Sequence, residues 1–454
     1  MPTPSKFQTI LCWVVAWAFL LGGTALFVYR APMRMNWIGT NLDAGLLPIG
    51  GRIWASGGNP YDLDTNAKAW LEVGGPPDRN TADRGLGAFV FPPSAYVLGA
   101  PLGQFSINTF RPIWNWFCVL AFIADCLLVL RLARVPLRSE FGLIGLGLAL
   151  AMTPSHTCIA LGQTATVVLL TVLGGISVRE AGRPWLAGLC FGLACCIKPQ
   201  IGLIFAAYEL GRGRWRITLG AGVTFGALMA IGLIRMKVAG IDGWSAWLAN
   251  SRALLEVDAN PLAGPRAAHA MIDLASPIAV LLGPTGLTTA RLIALVATGL
   301  AAGLYAVIDH RRGGARAEGR PELLSAAAVS LVMLLVAYHR LYDAVFLIIP
   351  LALALSQLQR SDNRGWITLL LLVPFFAPGG SILVILGEEG FIPASISSVK
   401  WWTVLFVQHE TWTLCLLLAW CIFLRRKWPG GQSDETAVLA ASPPSLINKG
   451  AASA

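Results

Sequence analysis

Five groups of polar residues sit where an otherwise apolar chain leaves its long hydrophobic runs, and their types are those that handle phosphate and hydroxyl groups. Lys198 stands in Cys196-Ile197-Lys198-Pro199, about fourteen residues into an apolar run and directly before a proline that breaks a helix. It reads either as a lysine snorkelling to an interface or as a cation holding a phosphate. Tyr338-His339-Arg340-Leu341-Tyr342-Asp343 packs a histidine, an arginine, two tyrosines and an aspartate between two apolar walls. A guanidinium grips phosphate in a planar fork, which suits Arg340 to a phosphate leaving group. Arg340 and Asp343 are also three apart and could pair with each other, and His339 could be an ordinary interfacial histidine. Asp43 follows the first long apolar run, where it either faces a lipid-borne substrate or caps the segment after it. His156, in Thr153-Pro154-Ser155-His156, and Gln163, in Leu161-Gly162-Gln163, complete the set.

The elements that must position these residues are membrane helices. The chain has 454 residues, of which 56% are hydrophobic and 13% charged, and its mean hydropathy is +0.65, which excludes an ordinary water-soluble globule. Several runs reach the roughly 20 apolar residues needed to cross as helix. They are apolar throughout, so they do not alternate as barrel strands do. The net charge of +10 does not point to nucleic acid. Arg131, Arg134 and Arg138, Arg212, Arg214 and Arg216, and Arg425, Arg426 and Lys427 fall in short gaps between apolar runs, as cytoplasmic loops require. There they fix topology and meet anionic headgroups. The nine cysteines lie mostly inside apolar segments, with no disulfide or metal spacing. There is no Gly-rich phosphate loop, zinc spacing or acidic metal box, so no cofactor is expected.

In chain order, Lys6 precedes a first helix over 7–29, a retained signal anchor that exits to the outside. An external loop over 30–88, rich in Pro, Gly and Trp, suggests short interfacial helices. The stretch Phe89 to Leu102 is re-entrant or interfacial, because a full crossing there would put the Arg131 to Arg138 cluster outside. Helices then follow over 112–132, 141–154, 165–178, 184–197, 199–210, 217–235 and 287–308, on both sides of Tyr338 to Asp343, and over 366–386 and 403–424. That makes about twelve crossings, with both termini cytoplasmic and the polar groups at the external face. Several are short for a full bilayer, implying a thinned or water-invaded wall. His409 and Glu410 form a buried polar contact, and His269 and His310 are solvated. The chain divides into a membrane domain over 1–427 and a disordered cytoplasmic tail over 428–454.

Taken together, Asp43, Gly57-Gly58-Asn59-Pro60-Tyr61-Asp62, Phe91-Pro92-Pro93, Gly162-Gln163, Lys198-Pro199 and Tyr338-His339-Arg340-Leu341-Tyr342-Asp343 resemble, in order over about 40 to 350, glycosyltransferase family 87. These are polyprenol-phosphate-mannose-dependent enzymes of the GT-C superfamily, once filed under a domain of unknown function. In one departure, the family's Gly-x-Asp-Phe opening appears as Asn41-Leu42-Asp43-Ala44. The resemblance implies an all-α, GT-C-like bundle of about 12 transmembrane helices in a bacterial inner membrane. It implies inverting transfer of a hexose, usually mannose, from a polyprenyl phosphate to a lipid or glycan acceptor on the external face. Asp43 would be the general base and His339 would assist the acceptor or the phosphate. Lys198 and Arg340 would neutralise the phosphate, and Trp54 and Tyr61 would stack on sugar. His156, Gln163, Tyr342 and Asp343 would contact sugar or acceptor. No metal, nucleotide site or nucleic-acid partner is implied. The rivals are a secondary transporter, which would show related halves and polar groups at the midplane rather than at one face, and a lipid-carrier flippase. No residue reports which hexose is carried.

Overall fold

The computed structural model describes residues 5–35, 43–75, 90–257, 260–311, 320–377 and 379–427. The Asn41-Leu42 half of the opening motif and the expected tail over 428–454 lie outside the described residues. Within them every regular element is helical, and the one extended pairing is an isolated antiparallel bridge between Met271 and Arg340.

The helices start where sequence chemistry starts them. Ser5 caps Lys6–Arg30 in a capping box with Gln8. Pro93, Pro184 and Pro199 stand at first-turn positions, where a missing N–H costs nothing. Six helices among the described residues are long and apolar enough to cross a membrane, or up to eight if each of two bent pairs is one span. The expected segments do form helices, but the figure of twelve full crossings exceeds what length and composition support. Pro184–Ile197 has 14 residues and Pro199–Gly211 has 13, so at 1.5 Å per residue each covers roughly 20 Å of the 30 Å hydrocarbon. Pro93–Gly103 has 11 residues and reaches only about half that thickness.

The first helix is long and mostly exposed, and it seats on Glu140–Ala151 through glycines. A Cβ on Gly147 would lie 2.3 Å from the Phe19 carbonyl oxygen, and one on Gly23 would lie 2.1 Å from that of Gly147. Backbone therefore meets backbone, the contact that small residues allow between membrane helices.

The bundle has two chemically distinct ends. Pro184–Ile197 and Pro199–Gly211 form a hairpin with Lys198 at its tip and Arg183 and Arg212 at its base. Ala165–Glu180, Leu287–Arg311 and Arg320–Val336 run between the same two ends. At the base, Glu322 receives Arg179 at 2.8 Å, Arg212 at 2.8 Å and Arg214 at 2.7 Å. Glu209 pairs with Arg179 and, at 3.0 Å, with Arg214. Asp309 meets Arg425 at 2.7 Å. The Arg179, Arg212 and Arg425 side chains are nearly inaccessible. Arg212, Arg214 and Arg425, expected in loops that meet anionic headgroups, form with Arg179 a buried ionic network, because Glu209, Asp309 and Glu322 on three helices come against them. Two smaller expectations also change or stand. His269 is not a solvated loop residue but lies on the short helix Pro265–Ala270, its Nε2 2.6 Å from Ser381 Oγ. His409 Nδ1 does lie 3.4 Å from the buried Glu410.

Candidate active site

The other end of the bundle holds a cavity of about 720 Å³. It gathers residues that are far apart in sequence, each delivered by a break in a helix. Pro199 excludes the α conformation from the residue before it, so Lys198 ends one helix and begins the next with an extended backbone (φ −132°) and its side chain is thrown off the hairpin tip. Arg340 is likewise extended (φ −97°, ψ 164°), and the chain coils into a 3-10 helix only from Leu341 to Leu347. Gly162 terminates Thr153–Leu161 in the left-handed region (φ +70°), a conformation open to glycine without strain. That turn presents Gln163. Asp43 is the first residue of Asp43–Ser56, where the helix dipole favours a carboxylate.

Asp43, Gln163, Lys198, Arg340, Tyr342 and Asp343 all line this cavity. Gln163 Nε2 donates to Asp43 Oδ2 at 2.5 Å across 120 residues of sequence, which orients the carboxylate. Lys198 Nζ is hydrogen-bonded to Asp343 Oδ1 and lies 5.0 Å from the centre of the Tyr342 ring. The second Asp343 oxygen is 3.0 Å from His339 Nδ1. Arg340 Nε donates to the Tyr338 hydroxyl at 2.6 Å, which aims its guanidinium.

The remaining expected residues do not reach the cavity wall. His339 is fully buried and stands behind Asp343, so it touches the site through that carboxylate. The His156 ring is buried with Nε2 2.6 Å from the Leu150 carbonyl oxygen and Phe27 beside it. Tyr61 is 5% exposed; its hydroxyl donates to the Phe91 carbonyl at 2.9 Å and its ring meets Tyr96 edge-on. Trp54 donates its indole N–H to the Gly232 carbonyl at 3.0 Å. Both aromatics hold the segment over 43–72 onto the bundle, packing with Ile49, Ile53, Trp70 and Tyr96.

The cavity also contains groups that sequence reading passed over. Asp273 lies in the wall at 6% exposure, and burial pushes its carboxyl up to about 6, against hydrogen bonds and a nearby His339 that hold it down. Arg291 reaches the wall from the start of Leu287–Arg311 and donates to the Leu255 carbonyl at 2.9 Å. Trp247, Ser251, Gln200, Ser276 and Tyr338 add to the polar lining. Asp273 carries no signal beyond being a lone acid in a connecting stretch, and Arg291 is a single charge near the start of the helix expected over 287–308. Counting all wall residues, three cations (Lys198, Arg291, Arg340) face three carboxylates (Asp43, Asp273, Asp343). Among the described residues no group of three or more His, Cys, Asp or Glu is disposed to hold a metal ion.

Fold and site together define a polytopic, all-helical membrane protein whose helix breaks converge on a charged cavity at one end. Residues 89–337, more than half of the chain, match the profile of glycosyltransferase family 87. The chain belongs to that family and is a membrane glycosyltransferase. The matched region contains Gln163, Lys198, Asp273 and Arg291, whereas Asp43 and the Tyr338 to Asp343 motif flank it. No curated protein and no solved structure matches the chain.

Proposed function

We propose that the protein transfers a hexose, usually mannose in such enzymes, from a polyprenyl phosphate to a lipid or glycan hydroxyl on the external face of a bacterial inner membrane, with inversion at the anomeric carbon. The observation that carries this reading is the convergence of Asp43, Lys198 and Arg340 on one cavity. A sugar linked to a lipid monophosphate leaves behind a phosphate dianion, and the two cations are of the types that neutralise one. Asp43, oriented by Gln163, accepts the proton of the acceptor hydroxyl. The hydroxyl oxygen attacks the anomeric carbon on the face opposite the phosphate. The bond from that carbon to the phosphate oxygen breaks, and its electron pair leaves with the phosphate. Asp343 holds Lys198 in place and His339 holds Asp343, so His339 acts by positioning. Tyr342, beside Lys198, supplies a ring face to the sugar.

The test is transfer of radiolabelled mannose from synthetic polyprenyl phosphate mannose to the lipids and glycans of isolated membranes. Wild type is expected to transfer label. Asp43→Asn should lower transfer by at least about a thousandfold, the scale of a lost base combined with lost orientation, and Lys198→Ala by about a hundredfold or more. Protein levels must be unchanged. Transfer that survives Asp43→Asn would remove the base assignment, and inactivity of wild type with every polyprenyl phosphate hexose would overturn the donor class.

A further inference from the structure

The catalytic scheme uses two of the three cavity carboxylates, Asp43 as base and Asp343 as the anchor of Lys198. The third, Asp273, is left without a task. Its backbone is fixed against the motif on the far strand of the isolated bridge: Met271 pairs with Arg340, Ile272 N–H donates to the His339 carbonyl at 3.0 Å, and Leu274 N–H donates to the Leu335 carbonyl at 3.1 Å. One oxygen, Oδ1, accepts the backbone N–H of Ser276 at 3.0 Å in the first turn of Ala275–Leu282. The carboxylate is therefore held in one orientation at the cavity wall by backbone N–H groups of its own turn, and no salt bridge to it is found among the described residues.

That state is costly for a group at 6% exposure, because a few backbone N–H groups without a countercharge only partly replace the hydration a buried charge forfeits. Glu209, Glu322, Asp309 and Asp343, equally buried, are each ion-paired. A carboxylate kept in a cavity wall without such a partner is ready to take its donors from a ligand. The ligand cannot present its phosphate there, since like charges repel, but sugar hydroxyls are donors of the right kind, and bonds to a charged acceptor are the stronger class. We infer that Asp273 binds ring hydroxyls of a sugar substrate in this cavity and thereby contributes to which sugar is accepted; the inference rests on the glycosyltransferase reading above. The hydroxyls can belong to the transferred hexose or to a sugar of the acceptor, and the experiment separates the two.

Wild type, Asp273→Asn and Asp273→Ala are compared in nanodiscs, varying polyprenyl phosphate mannose and a membrane glycolipid extract in turn. The KM for one substrate should rise roughly tenfold in the Asn variant and more in the Ala variant, as expected for a lost bond to a charged acceptor, with kcat within about threefold. A donor KM effect assigns the transferred hexose, and an extract effect assigns the acceptor sugar. With donor binding affected, one monodeoxy donor should be as poor for wild type as the natural donor is for Asp273→Asn, and no poorer for the variant. Should only Asp273→Ala differ, and only in thermal stability, the carboxylate is a helix cap and the inference is overturned. Unchanged KM values in both variants of an active enzyme overturn it while leaving the function intact. An inactive wild type removes the function and this assignment together.

Discussion

Lys198, Asp343 and His339 form a line of three buried groups in which the middle one binds both others. Removing the lysine leaves Asp343 buried with only a histidine, so Lys198→Met should cost about 3–5 kcal/mol, visible as a lower unfolding temperature in detergent. The double variant Lys198→Met, Asp343→Asn should recover most of that temperature and none of the activity. Asp273 makes a pH prediction. Its folded carboxyl titrates near 6, against an ordinary 3.8. Below about pH 4 folded and unfolded forms both carry the proton. As pH rises from about 4 to 6 the unfolded chain has released a proton that the folded protein still holds, so stability falls by about 3 kcal/mol in all and levels above 6. Asp273→Asn should match wild type at pH 4 and exceed it at pH 7, read as the difference between their unfolding temperatures. The residue types of the site were legible because they break apolar runs away from the basic loop clusters, where an ionisable group is costly without a partner. Their pairings were not. Helical spacing suggested Arg340 with Asp343, but the chain is extended at Arg340 and coils as a 3-10 helix from Leu341, and Asp343 reaches Lys198 across 145 residues. Nor could spacing show that the Tyr61 hydroxyl and the Trp54 indole N–H bond to backbone carbonyls, with neither residue in the cavity wall.

The helices themselves were readable from their apolar runs, and their breaks from proline. One expected pass over 141–154 is in fact two helices, Glu140–Ala151 and Thr153–Leu161, bent by 53°. Pro154 explains the break, since it has no N–H for the preceding turn and crowds the carbonyl four residues back. What periodicity could not reveal is which glycines carry helix contacts. Gly147→Val should displace the first helix, since even a Cβ meets the Phe19 carbonyl. The expected result is a lower unfolding temperature and reduced yield of folded protein. Gly174→Ala is the control: nothing lies within 4 Å of its Cβ position, so it should be neutral or slightly stabilising.

Across the whole molecule, the charged cavity and the ionic network occupy opposite ends of the same helices. The alternation of basic loops with polar turns made that polarity legible, but the acids that bury the arginines were invisible to a rule that counts only Lys and Arg. Glu322 is the node of the network. Glu322→Ala leaves three arginines short of a partner and should lower stability by about 3–5 kcal/mol, while transfer per folded molecule stays near wild type because the cavity lies at the other end. The glycine seat of the first helix also bears on how the chain is made. Lys6–Arg30 leaves the ribosome about 110 residues before Glu140–Ala151, its docking partner, and at 5–20 residues per second it waits on the order of ten seconds. During that interval its glycine face is open to lipid or to another nascent chain, while Asp43–Ser56, which follows it in the chain, is already made. Asp43, the proposed base, is thus translated well before the helix that seats the first one, and its surroundings are incomplete until the seventh score of residues has been threaded into the bilayer.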